Sequence, residues 1–122
     1  MSLADLKLIS EVDSLVAWVG GEIDMSNAGE LCAAVMEATT NGLLGVVLDF
    51  SELEYLDSAG VQLIYRLRER LGTRGQELRL VIADSSPAAD ALRLAGATTF
   101  VKAVPTVAQA LDELRAEAHA GA

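Results

Sequence analysis

Apolar residues change their spacing from segment to segment along this chain, and each change marks an element. Leu6–Glu11 and Leu15–Val19 are short strand-like runs, and Asp13 and Ser14 between them predict a turn, so the two read as a hairpin. Gly20-Gly21-Glu22-Ile23-Asp24 follows as a loop. Asn27, with Glu30 three residues on, is a capping pair for a helix reaching about Thr40, in which Leu31, Val35 and Ala38 recur at helical spacing. Gly45–Phe50 (GVVLDF) is an apolar, β-branched run bounded by a glycine and polar residues, which predicts a buried central strand. From Ser58 to about Leu71, a stripe of Val61, Ile64, Leu67 and Leu71 is opposed by Gln62, Arg66, Glu69 and Arg70, as on a helix with one buried face. Leu78–Ala83 (LRLVIA) predicts the next strand, and Ser86 caps a helix with Pro87 in its first turn and Gly96 at its stop. Thr99–Lys102 reads as a short last strand. Pro105 and Thr106 lead into a final helix with Val107, Ala110, Leu111 and Leu114 on one face, and Ala116–Ala122 is expected to fray.

The resulting order is β-β-α-β-α-β-α-β-α. Strands joined through helices pair in parallel with right-handed crossovers. The expected fold class is therefore α/β: a mixed sheet with an opening antiparallel hairpin and then parallel strands, covered by about four helices. No repeat and no linker interrupts the pattern, so residues 1–122 are expected to form a single domain with its core at about 6–114.

Composition narrows the picture further. Of 122 residues, 52% are hydrophobic, enough for a packed core, while 4% aromatics leave the filling to aliphatic side chains. The apolar stretch around Gly42 to Phe50 is broken by Gly45 and Asp49 and is too short to span a bilayer. No basic segment followed by an apolar one opens the chain, so no secretory signal is visible. Nine basic residues against 18 acidic ones give a net charge of −9. Nucleic acid and anionic membranes would repel such a surface, and neither is expected as a partner. The lone Cys32 cannot form an internal disulfide and sits beside the first helical stripe, so it reads as a small core residue in a cytoplasmic protein. Trp18 reads as part of the hairpin's packing.

Candidate chemistry concentrates in Asp49-Phe50-Ser51-Glu52-Leu53-Glu54-Tyr55-Leu56-Asp57-Ser58-Ala59-Gly60-Val61. It reads as a strand, a connecting stretch and a helix start that exposes a hydroxyl. Ser58 is a good helix cap by residue type, and it is equally a hydroxyl that could accept a phosphate; physics alone leaves both roles open. A phosphate there would bring about −1.5 to −2 charges at pH 7. Backbone amides and the macrodipole at the helix N-terminus would stabilise it. Such a change would spare the fold and repel an acidic partner surface. Gly60 in the first turn leaves space for close approach to the backbone.

The segment VVLDFSELEYLDSAGV, together with Gly21-Glu22-Ile23-Asp24 after the hairpin and the ending VIADSSPAADALRLAG, resembles a STAS domain of the anti-sigma factor antagonist type. The resemblance runs from about Leu6 to Leu114. It implies that Ser58 is the phosphorylation site, modified by a partner that is both anti-sigma factor and serine kinase. On this view the unphosphorylated antagonist binds that partner and frees the sigma factor, and a phosphatase resets the cycle. Asp24 and Asp57 match acidic positions near the phosphosite in the family, though each is also a plausible helix-start carboxylate. Many members carry a second Ser or Thr where this chain has Ala59, which removes an alternative acceptor. Ala59 and Gly60 belong to the kinase-facing segment, and Gln62, Tyr65 and Arg66, off the apolar stripe, are the candidate partner-binding residues. No cofactor or metal is expected, and the chain is expected to be a monomer or weak dimer.

Other readings fit less well. A serine hydrolase needs a base beside its nucleophile, and the only histidine is His119, near the C-terminus. A phospho-aspartate receiver would use Asp49 and Lys102 at strand ends, but it lacks an opening hairpin and wants an acidic pair for which Glu22 and Asp24 are a poor substitute. The alternative on the same fold is an accessory or scaffold subunit of a transporter or sensor complex, bound to its partner independently of phosphorylation.

Overall fold

Pairing begins at the hairpin, as the alternation predicts. In the computed structural model, which describes residues 4–120, β1 (Ala4–Ser10) and β2 (Ser14–Ile23) run antiparallel in unbroken register from Ala4–Gly21 to Ser10–Leu15. β3 (Gly45–Asp49), β5 (Glu77–Val81) and β6 (Lys102–Val104) follow β2 in parallel, giving the order β1-β2-β3-β5-β6. This is the mixed sheet expected from the element order.

Three segments differ from the sequence reading. Residues Gly20–Ile23 are not a loop but the end of β2, because a further strand, β4 (Leu53–Leu56), pairs with Gly21–Ile23. β4 buries Leu53 and Leu56 around exposed Glu54 and Tyr55, so it lacks the period-2 signal that reveals a strand. Its register shifts between Gly21 and Glu22, where Gly21 takes φ 83°, a conformation that glycine adopts at no steric cost. The expected strand at Thr99–Lys102 starts only at Lys102: Gly96 (φ 77°) ends α3 (Ala89–Leu94), and a short helix α4 (Ala97–Phe100) follows. Ala97 and Val101 are both buried there, a helical spacing that overrides the β-branched threonines, which stay exposed. Ser86 accepts from the Ala89 amide through its backbone carbonyl (3.0 Å), so it makes a turn before α3 rather than a side-chain cap.

Alternation along the strands feeds two apolar layers. Leu15, Ala17, Val19, Val46, Leu48, Leu78 and Leu80 face α1 (Ala28–Ala38), α2 (Ser58–Gly72), α3 and α4. Val16, Val47, Val81 and Val104 face α5 (Val107–Ala120), against Ala110, Leu111 and Leu114 as its periodicity predicts. Fully burying each such Leu or Val contributes on the order of 1.5–3 kcal/mol. Among the described residues no helix is long and apolar enough to cross a membrane.

α5 continues to Ala120, where fraying was expected from Ala116; the expectation for 121–122 lies outside the described residues. Charges hold the helix down. Arg79, buried on β5, pairs with Glu113 and Glu117; Glu113 also takes Lys102 (2.8 Å), and Arg115 takes Asp13 (3.1 Å). Arg115 holds the Asp13 carboxyl below its usual range, and hydrogen bonds from Lys102 and then Gln109 do the same for Glu113. A carboxyl whose pKa is lowered in the folded state adds stability above its unfolded pKa and loses it as pH falls through the folded value. The unfolding midpoint is therefore expected to hold steady between about pH 7 and 5 and to fall below about pH 4. Combining Asp13→Asn with Glu113→Gln should flatten that acid decline in urea titrations across pH; an unchanged decline would place its cause elsewhere.

Candidate functional site

Ser58 owes its position to one backbone bond. The Asp57 amide donates to the Ile23 carbonyl (3.2 Å), which ties the start of α2 to the end of β2. Asp24 follows Ile23 and Ser58 follows Asp57, so two positions distant in sequence arrive at one corner of the sheet. The stripe that seats α2 is Gly60, Leu63, Ile64, Leu67 and Leu71; Val61, expected in the stripe, is only half-buried, and Leu63 takes its place. Gly60 is required there, because a Cβ on it would lie 2.7 Å from Leu56 Cβ.

The cap of α2 is Asp57, not Ser58. Its carboxylate accepts from the Ala59 amide (2.8 Å), and its carbonyl accepts from the Gly60 amide (3.0 Å). Ser58 is thereby released from the capping role that its residue type suggests. It is the first helical residue, exposed, and its hydroxyl has no hydrogen-bond partner among the described residues. Replacing Asp57 with alanine is expected to cost about 1 kcal/mol, while Asp57→Asn keeps most of it. Urea denaturation of the two variants checks this; equal losses would mean that the carboxylate charge matters more than the capping bond.

Asp24 is held by its own loop. Its carboxylate accepts from the Ser26 amide (2.8 Å) and hydroxyl, which keep it below the usual carboxyl range and therefore ionised. The Asn27–Glu30 capping pair does not form. Buried Asn27 instead turns its side chain back, accepting from the Asp24 amide (3.1 Å) and donating to the Glu22 carbonyl (2.9 Å). A helix-cap pattern in sequence thus becomes a clamp that shapes the loop beside Ser58.

Between α1 and α2 lies a groove of about 270 Å³ lined by Met25, Ala28, Ala59, Gln62, Leu63 and Arg66. Gln62 and Arg66 are exposed, as expected from the stripe. Tyr65 does not line this groove; it turns to α4 and packs edge-on against Phe100, 5.7 Å between ring centroids. The sequence reading missed Met25, which is 87% exposed at the groove's rim. Its only signal was an apolar residue between two polar ones in Asp24-Met25-Ser26.

The residues weighed for other chemistry are engaged elsewhere. Asp49 accepts from the Ser51 amide (3.0 Å) in the turn after β3. Lys102 opens β6 rather than ending a strand and is bound to Glu113. His119 is on the last turn of α5. Cys32 is buried in the first apolar layer, and burial pushes its thiol pKa up.

A family model described as "STAS domain" matches residues 5–110. The anti-sigma-F factor antagonist RsfB of Mycobacterium tuberculosis (strain ATCC 25618 / H37Rv) is 29% identical over 98 residues, 80% of this chain and 78% of the relative. Among solved structures, an anti-sigma factor antagonist from Mycobacterium paratuberculosis superposes with a TM-score of 0.79 at 25% identity, covering 92% of this chain and 94% of the other. The Bacillus cell fate determinant SpoIIAA in its phosphorylated form superposes with a TM-score of 0.63 at 19% identity, over 90% and 99% of the two chains, a likeness of fold.

Proposed function

This chain belongs to the STAS domain family, and from that premise we propose that it is an anti-sigma factor antagonist switched by phosphorylation of Ser58. It acts in the cytoplasm by binding, not by catalysis. In its unphosphorylated form it binds an anti-sigma factor that is also a serine kinase, and so frees the sigma factor. Phosphate on Ser58 ends that binding, and a phosphatase restores it. The observation that carries this reading is the exposed, unpartnered Ser58 hydroxyl, left accessible because Asp57 takes the cap. The names of the 29%-identical relative and of the mycobacterial structure support the antagonist role.

The partner surface spreads from Ser58 to both sides of α2. Asp24 and Ala59 border the serine, Gln62 and Arg66 extend the groove toward α1, and Tyr65 extends the surface toward α4. Gly60, expected to leave room for close approach, is buried against Leu56 and serves the seat of α2 instead. Met25 is the apolar anchor at the rim. Alanine at Met25 or Arg66 is expected to weaken partner capture by about tenfold or more, as for central interface residues, without shifting the melting temperature. Unchanged affinity in both variants, and in Gln62→Ala and Tyr65→Ala, would remove this surface.

The direct test is to purify the chain from its own host with phosphatase inhibitors and map the phosphate by mass spectrometry. Phosphate on Ser58, absent from a Ser58→Ala chain, is the expected result. A chain that stays unmodified under every stress tried, yet binds an ATPase stably, would instead be an accessory subunit.

A further inference from the structure

The two end strands of the path β1-β2-β3-β5-β6 are protected unequally. β6 is three residues long, opens on the paired Lys102 and is followed by Pro105, so it offers little backbone to another chain. β1, at the opposite edge, runs seven residues with no register break against β2 and no proline. Leu8 and Ile9 on it are 41% and 48% exposed. A strand of that length with apolar side chains in solvent presents its outer amides and carbonyls as a template for another strand.

We propose that β1 pairs antiparallel with β1 of a second copy of this chain, in a register centred on Leu6. Two identical edge strands are related by a two-fold axis perpendicular to the sheet, so each sheet face stays continuous across the joint. Asp5, Lys7 and Ile9 lie on the face that carries Trp18, over whose ring Lys7 Nζ sits at 4.7 Å. Leu6 and Leu8 alternate with them, and Leu6 packs on the layer under α1 and α2. Directly opposed residues must then share a face, and charge selects among the registers. Centring on Asp5 or on Lys7 sets each against itself, and centring on Leu8 sets Asp5 against Glu11. Centring on Ile9 overlaps only Leu8–Ser10 of the strand. Centring on Leu6 sets Asp5 against Lys7 twice and Leu6 against Leu6.

The joint is small beside the roughly 1,200 Å² of a stable interface, and a net charge of −9 on each copy opposes it. The association is therefore weak, reversible and concentration-dependent. β4, which leads to Ser58, flanks β2 on the side away from β1, so pairing leaves Ser58 accessible and does not depend on its role.

Analytical ultracentrifugation of the wild-type chain, of Asp5→Lys, of Lys7→Asp and of their equimolar mixture tests the proposal. The wild-type chain is expected to dimerise at high micromolar concentration. Each single substitution sets like charges opposite one another twice and is expected to weaken the dimer by about tenfold or more. Asp5→Lys does so although it lowers the overall negative charge, which general repulsion alone would reverse. The mixture is expected to recover the dimer, since each variant's altered residue meets an opposite charge on the other; a misfolded chain could not do this. A wild-type chain that stays monomeric to about millimolar concentration, a dimer indifferent to both substitutions, or a mixture that fails to recover would overturn it.

Discussion

Replacing Ser58 with glutamate is expected to lower affinity for the anti-sigma partner by about 100-fold or more, while leaving thermal stability unchanged or slightly raised. Both halves follow from where the residue sits. Ser58 is the first residue of α2, exposed, with no hydrogen bond to lose. A carboxylate at that position faces the positive end of the macrodipole, worth about 0.3–1 kcal/mol in favour of the fold. On the proposed function the same charge joins Asp24 and Asp57 at one corner and meets an acidic partner surface, and like-charge juxtaposition across an interface costs several kcal/mol. Ser58→Ala is expected to bind as the unmodified chain does and to ignore the kinase. Calorimetric titration of the partner beside thermal melts of the three proteins checks this. Equal loss in the alanine and glutamate variants would make the hydroxyl itself the contact, and a lowered melting temperature in the glutamate variant would move the switch into the fold.

Gly45→Ala is expected to cost about 3 kcal/mol of stability, because the added methyl would meet backbone that cannot move aside. Gly45 opens β3 in the middle of the sheet, opposite Glu77 of β5, and an ideal Cβ on it would lie 2.2 Å from the Glu77 carbonyl oxygen. That neighbour is backbone and cannot rotate away. It is fixed further because the Glu77 amide donates to the Leu44 carbonyl (3.1 Å). Relief requires β3 and β5 to part where both are packed on two faces, so the strain spreads into both apolar layers. Gly42→Ala, three residues upstream with nothing within 4 Å of its Cβ, is the control, expected to stay within about 0.5 kcal/mol. Urea unfolding of both variants decides it, and equal midpoints would refute the argument from backbone contact.

These two positions also show which properties were readable from the chain. GVVLDF was legible as a central strand because a strand buried on both faces is apolar nearly throughout. All five residues of β3 are buried, the one carboxylate, Asp49, standing at its end where it accepts from the Ser51 amide. The stripe on α2 was legible for a similar reason: burial on one side of a helix enforces a period. It placed Gln62 and Arg66 outward correctly and missed Leu63, because a seat built around Gly60 widens the contact toward that side. β4 was hidden, since Leu53 and Leu56 have no alternation between them and pair only because β2 runs past the end of β3.

Local chemistry misled where two residues could each do the same job. Asp57 and Ser58 are both good caps by type, and so are Asn27 and Asp24. Which one caps depends on the Asp57–Ile23 bond and on the carbonyls that Asn27 can reach, both set by strands from elsewhere in the chain. The sequence by itself determined the order of the elements other than β4 and α4, most of their apolar faces and the serine at the head of the second long helix, because burial periodicity and residue chemistry act over a few neighbouring positions. Only the tertiary structure decided that Ser58 is free of the cap, that Asp24 and Met25 share its corner, and that β1 is left as an open edge among the described residues. Each of those depends on a contact between segments whose separation along the chain carries no local signal.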